Sequence, residues 1–415
     1  MRIHVIGAGL AGLAASWRLA EDGYAVTLYE ASPQAGGRCR SFLDLQLDRV
    51  IDNGGHVVLG ANRAALGLLK ATGGISAMTE IAPAAFPFHD LSTGESWTVR
   101  PNAGPLPWWI FSGGRRIPGT RARDYLGALR LWRAGPEATL ADCLPPSTLR
   151  QRLWEPFSTA VMNTGPDDAA ARPLGRALLQ VFGLGETGCR AWVAAHGLSA
   201  AFVDPTLLRL RARGADFRPG WRLARVHTAE NAVTALEFDE ERIQLAAGER
   251  IVLAAPHQVA SELLPGLTMP VGDNPIVNAH YRLDGPVTLP GGQPLLGIVG
   301  GTAQWLIARG DIVSVTVSDA GALVDRPANE LLDLLWSDVG RVLGIDTPRP
   351  ASRLIKERRA TFAQTPANQR RRQPAACAWS NVFIAGDWTD TGLPASIEGA
   401  IRSGFTAARA ATARR

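Results

Sequence analysis

The chain has 415 residues, 46% hydrophobic and 20% charged, with a formal net charge of +5. That is the balance of a globular protein, with length enough for two or three domains or one large interleaved body around a sizeable core. No basic run is interleaved with aromatics as nucleic-acid binding needs, and Cys39, Cys143, Cys189 and Cys377 fall in no CxxC or His/Cys spacing, so neither a zinc site nor a disulfide framework is expected.

Only Lys70 and Lys356 of the 43 basic residues are lysines. An arginine excess of this kind suits phosphate or an anionic membrane surface, and codon bias produces it too. The start, "RIHVIG", has no signal-peptide pattern. The longest uncharged stretch, 285–308, is broken repeatedly by Gly and Pro and makes a poor spanning helix. A cytoplasmic protein with reduced thiols is expected, with peripheral contact to the inner membrane as an option.

Residues 2–32, "RIHVIGAGLAGLAASWRLAEDGYAVTLYEAS", read as strand, helix, strand. Gly7, Gly9 and Gly12 complete a G-x-G-x-x-G between the first strand and the helix. Gly7 permits a tight turn, Gly9 lets a pyrophosphate approach the backbone, and Gly12 lets helix pack on strand. The helix start offers free N–H groups and a positive dipole end. Glu30 closes the second strand about 20 residues on, where an acid accepts from ribose hydroxyls. A 2′-phosphate would be repelled there, so NADP is not expected.

"EASPQAGGRCRSF" adds the doublet Gly36-Gly37 and then Arg38, a guanidinium suited to a phosphate or to a surface ion pair. "DRVIDNGGHVVLGANRAAL" follows, with Asp52, Gly54, Gly55 and His56; its glycines suit backbone pressed against a flat ring. Residues 76–205 read as helical and loop-rich, with helices expected at "YLGALRLWRA" and "GRALLQVFGLG". "APAAFPFHD" and "TPRPASR" read as loops. In "PLPWWIFSGGRRIP" the apolar run Trp108–Phe111 precedes Arg115 and Arg116. It reads as a membrane-dipping or tunnel-mouth loop, or as a core segment between turns.

Downstream, "WRLARVHT", which contains Leu223, "RIVLAAP" and "NVFIAG" read as strands returning to the N-terminal sheet. Residues 266–352 read as strands, "PIVNAHYRL" and "DIVSVTVSD", with a helix at "PANELLDLLWSDVGRVLG". The C-terminal "NVFIAGDWTDTGLPASIEGAIRSG" is a strand ending at Gly386 and Asp387, a turn, and a helix capped by Ser396 whose first amide is that of Ile397. The expected fold is α/β: a Rossmann-like dinucleotide domain from residues 1–75, 206–265 and 353–415, and a discontinuous α+β substrate domain from 76–205 and 266–352.

The Gly36-Gly37-Arg38 set resembles the glycine-doublet signature of FAD enzymes in the amine oxidase and phytoene desaturase superfamily. Taken with "DNGGHVVLG", "LWEPFSTAVMNTGPDDAAARPL", "GTAQWLIARG", "ERRATFAQTPANQRRR" and "AGDWTDTGLPASIEGAIRSG", the whole chain resembles the hydroxysqualene dehydroxylases, the squalene-associated FAD-dependent desaturases of bacterial hopanoid synthesis. The LWEP…MNT and AGDW…RSG segments are the discriminating ones. Plant-type phytoene desaturases are similar next.

The resemblance implies FAD, held by Gly7, Gly9, Gly12, Glu30, Gly36, Gly37, Arg38, Gly54, Gly55, Leu223, Gly386, Asp387 and Ile397. It implies hydroxysqualene as substrate, its allylic hydroxyl leaving as water and a hydride arriving from reduced flavin. Asp52, His56 and Glu398 are the candidate proton donors, each with a structural alternative. No metal is implied. Amine oxidases hold a lysine on a strand resembling "PIVNAHYRL"; here Asn278 stands near that place. Two other readings stay open: a carotenoid desaturase or isomerase, and a flavin-free prenyl-binding protein resembling GDP-dissociation inhibitors. The intact glycine and Glu30 sets argue against the second.

Overall fold

The computed structural model describes residues 1–239 and 241–413. At its centre lies a five-stranded sheet in the order Asp216–Pro219, Ala25–Glu30, Arg2–Ile6, Arg250–Leu253, Val382–Ile384. Every pairing in it is parallel. Parallel strands are covered on both faces, which is why these segments read as near-continuous apolar runs. Ile3, Val5, Val26, Leu28 and Val252 turn one way, into the core formed with the helices Leu10–Glu21 and Ile397–Thr412. Ile6, Tyr29, Ile251 and Leu253 turn the other way.

The first and last helices touch through a glycine. A Cβ on Gly404 would lie 2.2 Å from the Ala11 carbonyl oxygen. Residues 393 positions apart, Ala11 and Gly404, are thereby pressed together on one face of the sheet, at the carboxyl edge where open α/β sheets bind ligands.

A second sheet has seven strands in the order Ser352–Phe362, Asp273–Arg282, Ile312–Val317, Trp305–Arg309, Leu295–Val299, Phe86–Asp90, Ser96–Val99. The helix Ala328–Leu343 covers one face through Leu332, Leu335, Trp336 and Val339. A helical region spanning residues 108–189 builds a separate core on Trp109, Leu131, Leu153, Trp154 and Leu174. No helix among the described residues is long and apolar enough to cross a membrane.

Three expectations change. "WRLARVHT" does form a strand, Leu223–Ala229, but it pairs antiparallel with Ala232–Phe238 in a separate three-stranded sheet. Its pattern, buried only at Leu223 and otherwise exposed or half-exposed, suits that site and not a doubly covered parallel one. The short strand Asp216–Pro219 takes the edge instead. "APAAFPFHD" is not all loop: Phe86–Asp90 is a strand, and its pairing with Leu295–Val299 starts only at Phe88, one residue past Pro87, whose missing N–H is not needed there. Lastly, Ser352–Phe362 pairs with Asp273–Arg282 over its length, so the second sheet runs past the division expected at residue 353.

Candidate active site

The two glycine motifs near the N-terminus form one surface. Gly7 has φ +100°, and its N–H donates to the Tyr29 carbonyl at 2.8 Å. A Cβ on Gly12 would lie 1.8 Å from the Gly7 carbonyl oxygen, so only glycine allows the helix to start there. A Cβ on Gly9, by contrast, would meet nothing within 4 Å. The protein does not fill that space; the motif leaves it open. Gly36 pairs with Gly9 and donates its N–H to the Ala8 carbonyl at 2.8 Å, and Gly37 packs on the Gly9 Cα. The helix Leu10–Glu21 has no side chain capping its N-terminus. Its amides and dipole are therefore available to an anion. Glu30 accepts from the Ala8 N–H at 2.8 Å and the Ser32 N–H at 2.9 Å, one on each oxygen. Each oxygen keeps a lone pair for a further donor. Leu223 is buried beside Tyr29, and Gly220 donates to the Ser32 carbonyl, which brings this segment to the Glu30 end of the cradle.

Arg38 joins the first part of the chain to the last. Its guanidinium donates to Asp387 Oδ1 at 2.8 Å and to the Ala360 carbonyl. Asp387 raises the Arg38 pKa further, so the pair is firmly ionic. The Arg38 side chain is still 41% exposed, against 8% for Asp387, and can serve a phosphate while the carboxylate steers it. Gly386, before Asp387, has φ +149° and donates to Ser403 Oγ at 2.8 Å; a Cβ there would lie 2.3 Å from Trp388 Nε1. The helix Ile397–Thr412 begins at Ser396, whose hydroxyl accepts from the Gly399 N–H. The amide of Ile397 is not used by that cap.

The segment after Asp52 lies between the two sheets. Asn278, on Asp273–Arg282, donates to the Asn53 carbonyl at 3.3 Å and accepts from Thr316 Oγ1 at 2.9 Å. A Cβ on Gly55 would lie 2.7 Å from Thr316 Oγ1 and 3.2 Å from Ile307 Cδ1. Gly55 is thus glycine because the second sheet comes close.

The three candidate donors separate by their partners. Asp52 accepts from Ser41 Oγ at 2.6 Å, the Leu198 N–H at 2.8 Å and Arg309 Nη1 at 2.7 Å. Glu398 accepts from the Ala64 and Ala65 N–H groups at 3.1 and 2.9 Å, capping the helix Arg63–Thr72 from another element. Burial pushes its carboxyl up, and these amides partly offset that. Burial lowers the His56 pKa and the Arg38 charge adds to that, with the Asp52 charge and the Arg38 carbonyl opposing. Its Nε2 lies 3.3 Å from where a Gly54 Cβ would be, beside Asn278.

One residue at the site has no signal in the sequence. Arg372 is 6% exposed. Its five N–H groups meet five acceptors: Thr389 O, Gln369 Oε1, Leu393 O, Asp387 O and Thr391 Oγ1, at 2.6–3.0 Å. Burial brings its pKa down to about 10. It ties residues 387–393 into one rigid turn, and nothing sets it apart from Arg370 and Arg371 in sequence.

The family model of the flavin containing amine oxidoreductases matches residues 10–412. The hydroxysqualene dehydroxylases of Sinorhizobium fredii and Rhodopseudomonas palustris are each 40% identical to this chain, covering 98% of it and 97% of their own length. The chain belongs to the flavin containing amine oxidoreductases, on their hydroxysqualene dehydroxylase branch. A probable zeta-carotene desaturase of Synechococcus elongatus is 22% identical over 99% of the chain, a more distant relative. Among solved structures, a putrescine oxidase double mutant superposes with a TM-score of 0.72 at 16% identity, over 100% of both chains, which shows the shared fold. Family membership makes the protein a flavoprotein, and the uncapped helix, open Gly9 face and half-exposed Arg38 suit such a group.

Proposed function

We propose that this flavoprotein binds FAD and reductively removes the hydroxyl of hydroxysqualene, giving squalene. The observation that carries the reading is 40% identity to a hydroxysqualene dehydroxylase over 98% of the chain.

The adenine dinucleotide form suits a cradle with both a pyrophosphate site and a ribose acceptor. The residues that would hold it are the amides after Gly9, with Gly7 and Gly12 shaping the turn, and Glu30 on the ribose. Gly36, Gly37 and Arg38 would take the phosphates, with Leu223 at the nucleotide end and Gly386 and Asp387 by the ribityl chain. Gly54 and Gly55 would lie against the ring, and the Ile397 amide at the helix N-terminus favours negative charge on it. When bound and reduced, the flavin supplies the hydride that replaces the hydroxyl.

The rest falls to the protein. Breaking the allylic C–O bond releases water if a proton reaches the oxygen. We assign that role to His56, because Asp52 is held by three donors including Arg309 and Glu398 caps the helix Arg63–Thr72. Asn278 and Thr316 fix the Gly54–Gly55 backbone beside it. Half-buried Phe157, Trp305 and Ile307 make the neighbouring wall apolar, which keeps water from the developing cation. A substrate this apolar resides in a bilayer, so the reading includes membrane contact near Trp108–Phe111.

The test is anaerobic incubation of the purified yellow protein with hydroxysqualene and a chemical flavin reductant, with products read by mass spectrometry. Squalene is expected. No squalene there, with phytoene consumed in a parallel incubation that holds oxidised flavin and an added electron acceptor, would replace this reading with a carotenoid desaturase, and a colourless protein would remove both.

A further inference from the structure

The segment from Arg100 to Arg133 has two faces. Trp109, Ile110, Tyr125 and Leu131 turn inward and are buried. Leu106, Trp108, Phe111, Leu126, Leu129 and Trp132 remain outside, Trp108 63% and Phe111 65% exposed. These six are nearly half of the 14 large apolar side chains exposed among the described residues, so the clustering is not the ordinary scatter of surface hydrophobics. They are held together. The Trp108 and Phe111 rings lie 6.0 Å apart. Trp109 packs edge-on against Tyr125 at 5.3 Å, which joins the two outer turns. The helix Ala171–Phe182 clamps the far end, where Gly175 meets the Leu131 carbonyl, and the loop after it sets Gly185 on Gly104, beside exposed Leu184.

The same segment carries the charge of the molecule. It holds seven arginines and one acid, Asp124, for a net +6. The remainder has 36 basic and 37 acidic residues. None of the seven arginines forms an ion pair among the described residues, whereas Arg150 and Arg152, just beyond, are paired with Glu155, Asp90 and Glu95. Asp124 is occupied by the Arg121 backbone N–H. An apolar patch ringed by unpaired positive charge is a poor surface for a second copy, which would bring +6 against +6. It suits a surface that is apolar within and anionic at its edge.

We propose that this face docks the protein on an anionic phospholipid bilayer, with the aromatics in the interfacial layer and the arginines on headgroup phosphates. This deepens the membrane contact of the proposed function, but it rests on exposure and charge and not on the identity of the substrate.

Flotation of the full-length protein with vesicles tests it. Vesicles of phosphatidylcholine with phosphatidylglycerol should carry the protein, vesicles of phosphatidylcholine alone should carry little, and added salt should release it. The double variant Trp108→Ser/Phe111→Ser should bind about tenfold or more weakly, and Arg121→Ser/Arg123→Ser about fivefold more weakly per arginine. All four side chains are exposed, so flavin absorbance and turnover of detergent-dispersed substrate should not change. Absence of binding to phosphatidylglycerol vesicles, equal binding to both vesicle types, or a dimer in ultracentrifugation that the aromatic variant abolishes would overturn the proposal. Loss of squalene formation in detergent would instead count against the substrate reading and leave this one standing.

Discussion

At the scale of single residues, His56 and Asp52 sit four positions apart and differ in what surrounds them. Asp52 anchors Arg309 and two further donors, so Asp52→Asn should lower stability more than it slows the chemistry of the folded enzyme. His56 should behave the other way: His56→Ala should slow dehydroxylation by about 10²–10⁴-fold with flavin still bound. The pH dependence follows from the direction of its shift. Burial holds the imidazole below its ordinary 6.5, so the ring is neutral near pH 7 and loads a proton only as pH falls. Single-turnover rates should therefore rise on acidification through that lowered value, and His56→Ala should flatten the profile. An equally steep profile in the variant would take His56 out of the proton path.

Arg372 makes a different demand. A buried guanidinium with every N–H satisfied is stable only as a complete set. Arg372→Lys keeps the charge but leaves at least two of the five acceptors unpaired. It should loosen residues 387–393 and weaken flavin binding by tenfold or more, read as flavin lost on gel filtration; full flavin retention would show that the turn holds without it.

At the scale of elements, the Gly404 contact controls how the two ligand-facing helices pack. Alanine there would drive a methyl group to within 2.2 Å of the Ala11 carbonyl. Backbone cannot yield as a side-chain tip does, so Gly404→Ala should cost about 1–3 kcal/mol and lower flavin affinity together with the melting temperature. An unchanged melt would mean that the helices slide apart freely. What the sequence makes legible at this scale is what is local. The Gly7–Glu30 unit and the apolar runs Arg250–Leu253 and Val382–Ile384 announce their strands because their partners are other runs of the same kind. Leu223–Ala229 announces a strand but not its partner, since a strand pattern specifies faces and not neighbours. Phe86–Asp90 was masked by Pro87, whose lost donor matters only if a neighbour needs it. Arg372 was hidden because its partners are neutral oxygens, four in the turn 387–393 and one on Gln369, and Asn278 pairs with backbone 225 residues away. The functions of both depend on approach in space, which has no local signature.

At the scale of the whole molecule, the candidate site depends on two sheets staying together, and acid attacks that arrangement at a definite place. Burial lowers the pKa of His4, His56, His257 and His280, all four relative to 6.5. His280 is pushed down to about 4. It lies on the same strand as Asn278, 1% exposed, with Nδ1 2.8 Å from Ser314 Oγ; the Asp52 charge and backbone oppose the lowering only in part. An unfolded chain takes up protons at these rings as pH falls through 6.5, and the folded chain refuses them until the lowered value is reached. Stability is thus present above 6.5 and drains away below it. For His280 the loss by pH 4 is about 3 kcal/mol, a large share of a normal folding stability. His280→Asn can still meet Ser314 through its amide but takes up no proton. It should melt somewhat lower at pH 7.5, yet lose less between pH 6.5 and 4 than the unaltered chain. If both chains lose stability in parallel over that range, the acid-sensitive element is not this strand, and the weak point moves to the first sheet, where His4 lies between Tyr29 and Glu249.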